Sequence, residues 1–314
     1  MKPFRFGIEI SKLPSKTWRD DLKFIEDVGY SSILWTDHFG PQWEPTTAMA
    51  STYSSTSMLK TGTMVYCVDY HHPAVLAKAA ATAQLLSGGR IEFGIGAGWL
   101  KADYDQAGIP FDKPATRIRR MEEAVKIIKS MWRGKTTFKG KHYQINDMFR
   151  AANLGNLSPP PVLVGGGGKM LLSVAGRHAD IVNVITGIPE GRFTGDFYRR
   201  GVHDGYMRRI GYVRDAAGKA GRSFDDIELS LSLSHYEITD DPDSVIRFQA
   251  KRRGITADVI ENNPSFLIGS VDEVRESLFE LREATGINYI VLGLPSVEEI
   301  RDFGEHIVKD LNGK

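Results

Sequence analysis

Cysteine is nearly absent from this sequence, with Cys67 the single cysteine among 314 residues. An intrachain disulfide and a metal site built from several cysteines are therefore excluded. Charge of either sign is not in excess, because 40 Lys and Arg residues balance 39 Asp and Glu residues and leave a net charge of +1. Without a polybasic run, the sequence does not predict binding to nucleic acid or to a membrane surface.

Long hydrophobic runs are missing as well. No apolar stretch approaches the roughly 20 residues that a membrane-spanning helix requires, and the first residues, MKPFRFGIEI, lack a cleavable signal pattern. We therefore expect a cytoplasmic protein. The motifs GxSxG, HExxH, DxDxDG and GxxxxGK(S/T) are absent, and GIGAGW at residues 94–99 differs from the dinucleotide fingerprint GxGxxG. Nothing in the sequence therefore specifies hydrolysis or kinase chemistry.

Strand-like and helix-like segments alternate along the chain. This alternation predicts parallel strands joined by crossover helices, which is the α/β class. Eight such units in 314 residues favour a (β/α)8 TIM barrel, formed as one domain over residues 1–314, rather than an open sheet. The predicted strands are Phe4–Ile10, Ser32–Phe39, Lys60–Cys67, Arg90–Gly96, Pro161–Gly165, Asp180–Ile185, Ile227–Ile238 and Asn288–Leu294. The clearest predicted helices are Lys16–Val28, Pro73–Ser87, Pro114–Trp132, Val271–Ala284 and Ser296–Leu311.

Two connections exceed ordinary lengths and predict insertions at the carboxyl-terminal ends of the strands. The segment Thr136–Pro159 includes TTFKGKHYQIN, which is typical of a small hairpin. The segment Gly187–Tyr206 is rich in glycine, arginine and aromatic residues. We interpret this second segment as a lid.

Small and polar residues gather at the ends of four predicted strands. In a TIM barrel the active site lies at the carboxyl-terminal ends of the strands, so these positions are interpreted as one set. They are Asp37–Phe39, Met64–Cys67, Gly96–Trp99 and Gly165–Gly168.

Asp37 and His38 are neighbours at the end of the second predicted strand. Neighbouring residues on a strand point to opposite faces, but where the chain turns both side chains can reach one pocket. Histidine exchanges protons near neutral pH, so His38 is a candidate acid/base residue. The alternative is that Asp37 caps a turn and His38 packs at the barrel rim.

A histidine pair, His71 and His72, precedes Pro73, which opens a helix. The pair suggests metal ligands, but no carboxylate partner is evidently placed for one. We therefore favour a capping role and predict no metal site.

Two glycine patterns have two interpretations each. Gly94, Gly96 and Gly98 alternate along the fourth strand and leave either a flat surface for a planar ring or room for a bulky neighbour. The run Gly165–Gly168 links a strand to a helix, where free backbone amides would favour an anion. A tight turn without a ligand is the alternative for the run.

Three arginines, Arg117, Arg119 and Arg120, begin an amphipathic helix. They are able to bind an anion or to pair with Glu122 and Glu123 along the same helix. We favour the pairing.

Five segments together resemble the bacterial luciferase-like superfamily of flavin and deazaflavin barrel enzymes. They cover most of the chain in the family's order, and the second of them is the most specific. The segments are DVGYSSILWTDHF, LKTGTMVYCVDYHHPAVLAKAAATAQLLSGGRIEFGIGAGW, RIRRMEEAVKIIKSMW, PVLVGGGGKMLLSVAGRHADIVNV and GSVDEVRESLFELREATGINYIVLG.

The resemblance implies a cofactor site. The glycine loop would bind a cofactor phosphate, and a non-proline cis peptide at Met64–Val65 would form a bulge behind the cofactor ring. The implied cofactor-binding residues are Asp37, Met64, Val65, Ala97, Gly98, Gly166, Gly167, Gly168 and Lys169.

The segment TDHF followed by Trp43 resembles the F420-dependent oxidoreductase branch. That resemblance implies the deazaflavin F420 as cofactor, with His38 as acid/base and Asp37 at the ring edge. Glucose-6-phosphate dehydrogenases of this branch carry a carboxylate where this chain has Trp99, which argues against a sugar-phosphate substrate. The expected substrate pocket consists of Trp43, Tyr66, Tyr70 and Trp99.

The resulting prediction is hydride transfer between C5 of F420 and a small organic substrate. The alternative enzyme is an FMN-dependent two-component monooxygenase, with reduced cofactor supplied by a partner reductase. A third possibility is a cofactor-binding protein without turnover. A homodimer is expected from the resemblance alone.

Overall fold

A closed barrel of parallel strands forms the centre of the molecule. The computed structural model describes residues 1–14, 16–188, 191 and 193–314. The barrel strands are β1 (Arg5–Ile10), β2 (Ser32–Trp35), β3 (Lys60–Thr63), β4 (Tyr66–Cys67), β5 (Ile91–Gly96), β8 (Val162–Gly166), β9 (Ile181–Val184), β10 (Glu228–Leu233) and β13 (Tyr289–Gly293). The remaining strands are β6 (Thr136–Lys139), β7 (Gln144–Met148), β11 (His235–Ile238) and β12 (Phe266–Gly269).

Each barrel strand pairs in parallel with its neighbours, and β1 joins β13 to complete the ring. β3 and β4 are two halves of one barrel strand, since both pair with β5. The barrel thus has eight strand positions, and the predicted (β/α)8 TIM barrel is confirmed.

Helices surround the barrel and connect the strands. They are α1 (Trp18–Asp27), α2 (Pro45–Ser55), α3 (Pro73–Leu86), α4 (Lys101–Ala107), α5 (Pro114–Arg133), α6 (Lys169–His178), α7 (Gly195–Arg199), α8 (His203–Lys219), α9 (Pro242–Arg253), α10 (Ala257–Glu261), α11 (Val271–Thr285), α12 (Val297–Phe303) and α13 (Lys309–Leu311), with a π-helical turn at Gly304–Val308 and a 3₁₀ turn at Phe224–Asp226. Within the described residues, no helix is both long enough and apolar enough to cross a membrane.

The predicted strand Ile227–Ile238 is wrong in its second half. β10 ends at Leu233, and β11 leaves the barrel to form a separate two-stranded parallel sheet with β12. Alternating apolar residues continue through both halves, so the sequence pattern does not reveal the change of pairing partner.

The two predicted insertions have different outcomes. The hairpin is confirmed, because β6 and β7 pair antiparallel. Residues 189, 190 and 192 of the proposed lid lie outside the described residues. The rest of that segment contains α7 and the start of α8.

Paired charges close the amino-terminal end of the barrel interior. Arg5 of β1 reaches across to Glu92 of β5 at 2.6 Å and to Glu228 of β10 at 2.7 Å. Its guanidinium also lies 3.6 Å from the ring centre of Tyr289, and the Tyr289 hydroxyl donates to Glu92 at 3.1 Å. Glu92 is only 1% exposed, and the carboxylates of Glu92 and Glu228 both meet the Arg5 cation.

Candidate active site

A cavity of about 370 Å3 opens at the carboxyl-terminal end of the barrel. Residues at or just after the strand ends form most of its wall. The predicted site residues that line it are Asp37, His38, Met64, Val65, Tyr70, Gly98 and Trp99. Further lining residues include Glu9, Cys67, Gly165, Asn183, Phe193, Phe197, Tyr198, Tyr206, Ser232 and Ser234.

Trp43 and Tyr66, expected in the substrate pocket, do not line this cavity. Trp43 stacks on Trp35 with ring centres 5.5 Å apart, and Trp18 meets it edge-on at 6.2 Å. Tyr66 is 2% exposed, and its hydroxyl hydrogen-bonds the Thr46 hydroxyl at 2.8 Å. Both side chains therefore belong to packing around β2 and β4.

His38 is held by a carboxylate on the other side of its ring from the cavity. Its Nδ1 lies 2.5 Å from Oδ2 of Asp103, and the Tyr70 hydroxyl donates to the same oxygen at 3.1 Å. The imidazole also packs edge-on against Trp99, with ring centres 5.6 Å apart. Within the described part of the chain, Nε2 of His38 has no hydrogen-bond partner. The imidazole is thus oriented with one nitrogen available to a bound molecule.

The position of Asp103 is fixed by its neighbour in α4. Tyr104 is fully buried and donates through its hydroxyl to Asp69 at 2.8 Å. Asp69 in turn binds Arg120 of α5 at 2.5 Å. Because this network anchors α4 to α5, Asp103 is presented to His38 by a rigid element.

Asp37 is already engaged by the protein. Its Oδ2 accepts hydrogen bonds from the Cys67 backbone amide and from Nε2 of His71, both at 2.9 Å. His72 accepts from the Ala74 amide at 3.3 Å and caps α3. Among the described residues, no cluster of His, Cys, Asp and Glu is arranged to hold a metal ion.

The cysteine of the cavity wall is not an activated nucleophile. Burial raises the pKa of the Cys67 thiol to about 11, so the thiol keeps its proton at neutral pH. Its sulfur lies 3.3 Å from the Tyr104 hydroxyl.

Val65 forms the cavity floor between β3 and β4. The Met64–Val65 peptide is cis, as the resemblance implied. A Cβ placed on Gly96 would lie 2.5 Å from Cγ2 of Val65, and one on Gly94 would lie 1.8 Å from the Thr63 carbonyl oxygen. Gly96 makes room for the Val65 side chain and Gly94 for the Thr63 backbone, so neither leaves a flat surface for a ring.

The glycine run makes a tight turn from β8 into α6. A Cβ on Gly167 would lie 2.1 Å from the Ile185 carbonyl oxygen, whereas nothing lies within 4 Å of the corresponding position at Gly168. Gly168 is the N-cap of α6, and no side chain caps the helix amides there. Lys169 lies with its ammonium 5.5 Å from the ring centre of Tyr212. Gly165 lines the cavity, whereas the predicted cofactor residues Gly166, Gly167, Gly168 and Lys169 are not among its lining residues.

The arginines at the start of α5 bind neither of the partners expected for them. Arg117 donates to the backbone oxygens of Ala97 at 3.1 Å and Gly98 at 3.2 Å, which fixes the end of β5. Glu122 instead forms an ion pair with Arg177 at 3.0 Å. Glu123 accepts from three backbone amides of the β6–β7 hairpin, at residues 141–143. The predicted pairing along the helix is wrong because both glutamates face neighbouring elements.

Glu9, near the end of β1, is a cavity residue that the sequence analysis missed. Among the described residues, its carboxyl group has neither a hydrogen-bond partner nor an ion pair, although it faces the cavity. Burial raises the pKa of this carboxyl from 4.5 to about 7. The same strand-end argument that selected His38 would have selected Glu9 if the first strand had been included.

The cavity has one aromatic wall and one polar wall. Trp99, Phe193 and Phe197 form a series of edge-to-face contacts, with ring centres 5.5 Å and 4.9 Å apart. On the polar wall, the Asn183 amide donates to the Ser232 hydroxyl at 3.2 Å. Only the tertiary structure brings these residues together, because they follow three different strands.

The comparisons with known proteins agree on one family. The model of the luciferase-like monooxygenase family matches residues 16–256. An F420-dependent glucose-6-phosphate dehydrogenase of Amycolatopsis mediterranei is 30% identical over 171 residues, which are 49% of this chain and 49% of that protein, so the match spans about half of each. An FMNH2-dependent dimethylsulfone monooxygenase of Pseudomonas putida is 25% identical over 96% of this chain and 91% of its own length.

A solved structure shows the same fold over the whole length. The coenzyme F420-dependent tetrahydromethanopterin reductase of Methanopyrus kandleri superposes with a TM-score of 0.75 at 23% identity, covering 99% of this chain and 100% of that one. Relatives with F420 and relatives with FMN are both present, so the comparisons support an oxidoreductase with a flavin-type cofactor without separating the two cofactors. The family model covers well over half of the sequence, and the chain belongs to the luciferase-like monooxygenase family.

Proposed function

We propose that this chain is an F420-dependent oxidoreductase that transfers a hydride between C5 of the deazaflavin and a small organic substrate. The observation that carries the proposal is the arrangement of His38, with Nδ1 held 2.5 Å from Asp103 and its ring at the cavity. The F420-dependent relative supports the choice of cofactor.

The described residues fit such a cofactor in two places. Near α6, the uncapped helix amides and the open space at Gly168 suit a phosphate, with Gly166, Gly167 and Lys169 beside them. At the cavity, Met64, Val65 and Gly98 suit the ring, with Asp37 at its edge, whereas Ala97, which directly precedes Gly98, is not among the lining residues. When bound, F420 supplies a two-electron hydride donor or acceptor at C5.

His38 would handle the proton that accompanies the hydride. The Asp103 carboxylate favours the tautomer with a proton on Nδ1, which leaves Nε2 free to accept a proton from a substrate hydroxyl. In the opposite direction, the imidazolium returns that proton to a carbonyl oxygen as the hydride reaches carbon. Tyr70 and Trp99 are the two predicted substrate residues that line this space.

Replacing His38 tests the acid/base role. His38→Ala should retain F420 binding, measured by cofactor fluorescence, while turnover falls by about 10² to 10⁴. His306→Ala is the matched control, because His306 lies in the π-helical turn away from the cavity. Unchanged turnover in His38→Ala with cofactor bound would remove His38 from this role.

The second candidate is an FMN-dependent monooxygenase that receives reduced cofactor from a partner reductase. The relative of Pseudomonas putida favours it, because that match covers 96% of this chain. Separate fluorescence titrations with F420 and FMN distinguish the two proposals. Tight binding of FMN alone, followed by oxygen consumption with a reductase, would replace the first proposal with the second.

Binding of F420 without turnover of any donor or acceptor would favour a cofactor carrier. We also infer a single domain over residues 1–314 and a homodimer, the latter from family resemblance. Light scattering on the purified protein measures the number of subunits.

A further inference from the structure

The charged residues that line the cavity indicate which substrates it can bind. Among the described lining residues there is no lysine or arginine. Arg117, which contacts the end of β5, is already engaged, because its guanidinium donates to the carbonyl oxygens of Ala97, Gly98 and Asp112. The described lining residues therefore offer no lysine or arginine charge to an anionic substrate.

The acidic groups of the cavity differ in whether a partner satisfies them. Asp37 is bound by His71 at 2.9 Å, and the carboxylate behind His38 is shared with Tyr70. Glu9 alone among the lining carboxyl groups has no partner in the described chain. A carboxyl group without a partner inside a protein is unfavourable unless a bound molecule or water completes its hydrogen bonds.

The barrel topology separates Glu9 from the aromatic wall. β1, which carries Glu9, is three strand positions away from β5, which precedes Trp99. On the other side it is three positions away from β9, which precedes Phe193 and Phe197. A molecule that touches both therefore lies across the cavity, with a polar end at β1 and an apolar body against the rings.

We propose that this cavity takes an uncharged organic substrate, whose hydroxyl or carbonyl oxygen is bound by the Glu9 carboxyl group while Trp99, Phe193 and Phe197 hold its apolar body. This inference rests on the proposed function for the reaction itself, and Glu9 is the residue that determines specificity. When protonated, Glu9 donates to a carbonyl or hydroxyl oxygen, and when ionised it accepts from a hydroxyl. In neither state does it attract an anion.

Three probes with one aromatic body test the charge preference. Benzyl alcohol, benzoate and benzylammonium are titrated by calorimetry into the purified protein, with and without saturating F420. We expect benzyl alcohol to bind about tenfold more tightly than either ion, because the carboxyl groups repel the anion and because the cost of desolvating the cation exceeds its attraction to Glu9. Benzoate or benzylammonium binding as tightly as the alcohol would overturn the proposal, as would the absence of saturable binding by all three.

Variants of Glu9 then assign the preference to one residue. Glu9→Gln keeps the size and a hydrogen bond, so the alcohol should bind within about threefold of wild type while discrimination against benzoate narrows. Glu9→Lys should reverse the order and favour benzoate. An unchanged order in a folded Glu9→Lys protein, checked by circular dichroism, would show that Glu9 does not face the ligand. If Glu9→Lys fails to fold, an unchanged benzoate discrimination in Glu9→Gln overturns the assignment.

These readouts measure binding and not turnover. A protein that preferred FMN, or that tolerated His38→Ala, would contradict the proposed function and leave the charge preference measurable. Conversely, a preference for benzoate with normal hydride transfer would overturn the substrate class alone.

Discussion

At the amino-terminal end of the barrel, Glu92 and Glu228 both meet Arg5, whereas at the carboxyl-terminal end the Glu9 carboxyl meets no described residue. The two environments shift pKa values in opposite directions. Arg5 holds the pKa of Glu228 below its usual range even though burial opposes this, while burial raises the pKa of Glu9 to about 7. Both ends contain carboxyl groups inside the same ring of strands, so the difference lies in the partners.

The comparison separates residues that stabilise the fold from residues that face a ligand. Buried charges that all have partners make a rigid and satisfied network. A buried acid without a partner lowers stability, and such groups concentrate where a protein binds or transforms another molecule. The unpaired end of this barrel also holds His38 and the cavity.

The largest expected effect comes from breaking the paired end. Arg5→Met leaves Glu228 without an ion pair and leaves Glu92 with only the more distant Lys60, at 3.9 Å. We expect the free energy of unfolding to fall by about 3–5 kcal/mol at neutral pH, as is typical when one partner of a buried ion pair is removed. Urea denaturation followed by circular dichroism measures it.

A matched control shows that the loss comes from unpaired charge. The triple variant Arg5→Met, Glu92→Gln, Glu228→Gln removes all three charges together. It should recover most of the stability lost in Arg5→Met. A triple variant no more stable than the single one would mean that packing of Arg5 on Tyr289, and not charge, carries the effect.

Removing the charge of Glu9 at the unpaired end should raise the free energy of unfolding, whereas Arg5→Met lowers it. The pKa of Glu9 is about 7 in the folded protein against an ordinary 4.5, so the folded state holds the proton more tightly. Stability from this group is fully present below pH 4.5 and is lost as the pH rises through 7. Glu9→Gln should therefore be more stable than wild type by about 3 kcal/mol at pH 8, with the gain vanishing near pH 4.5.

The measurement is urea unfolding of both proteins across that pH range. Glu228→Gln is the informative control. Because the pKa of Glu228 is lowered in the folded protein, its ionised carboxylate stabilises the fold above the ordinary pKa of a glutamate, and the variant should lose that stability there. Equal stability of wild type and Glu9→Gln at pH 8 would mean that water or a neighbour satisfies the carboxylate.

The sequence predicted the barrel and the site region because both depend on local signals. Eight apolar runs and their helices specify a TIM barrel, and His38 and Val65 follow strand ends whichever way side chains pack. The exit of β11 from the barrel, the pairing of His38 with Asp103 and the isolation of Glu9 depend on contacts between distant segments. Periodicity carries no information about such partners.

A smaller effect is expected at the carboxylate that orients His38. Asp103→Asn removes the charge next to Nδ1 but keeps the size, so His38 should become less well oriented for proton transfer. We expect kcat to fall about tenfold while KM and F420 binding stay close to wild type. Asp103→Glu, which restores the carboxylate, should recover part of the rate. A rise in KM with unchanged kcat would mean that Asp103 acts only through the packing of α4.

The smallest effect separates two tryptophans that the sequence placed in one pocket. Trp43 packs on Trp35 and Trp18 outside the cavity, so Trp43→Phe should lower the free energy of unfolding by about 1 kcal/mol through weaker aromatic contacts. Its affinity for F420 and for benzyl alcohol should not change. Trp99→Phe should do the reverse, because Trp99 lines the cavity beside His38. If Trp43→Phe bound ligands more weakly but kept its stability, Trp43 would belong to the ligand site and not only to the packing around it.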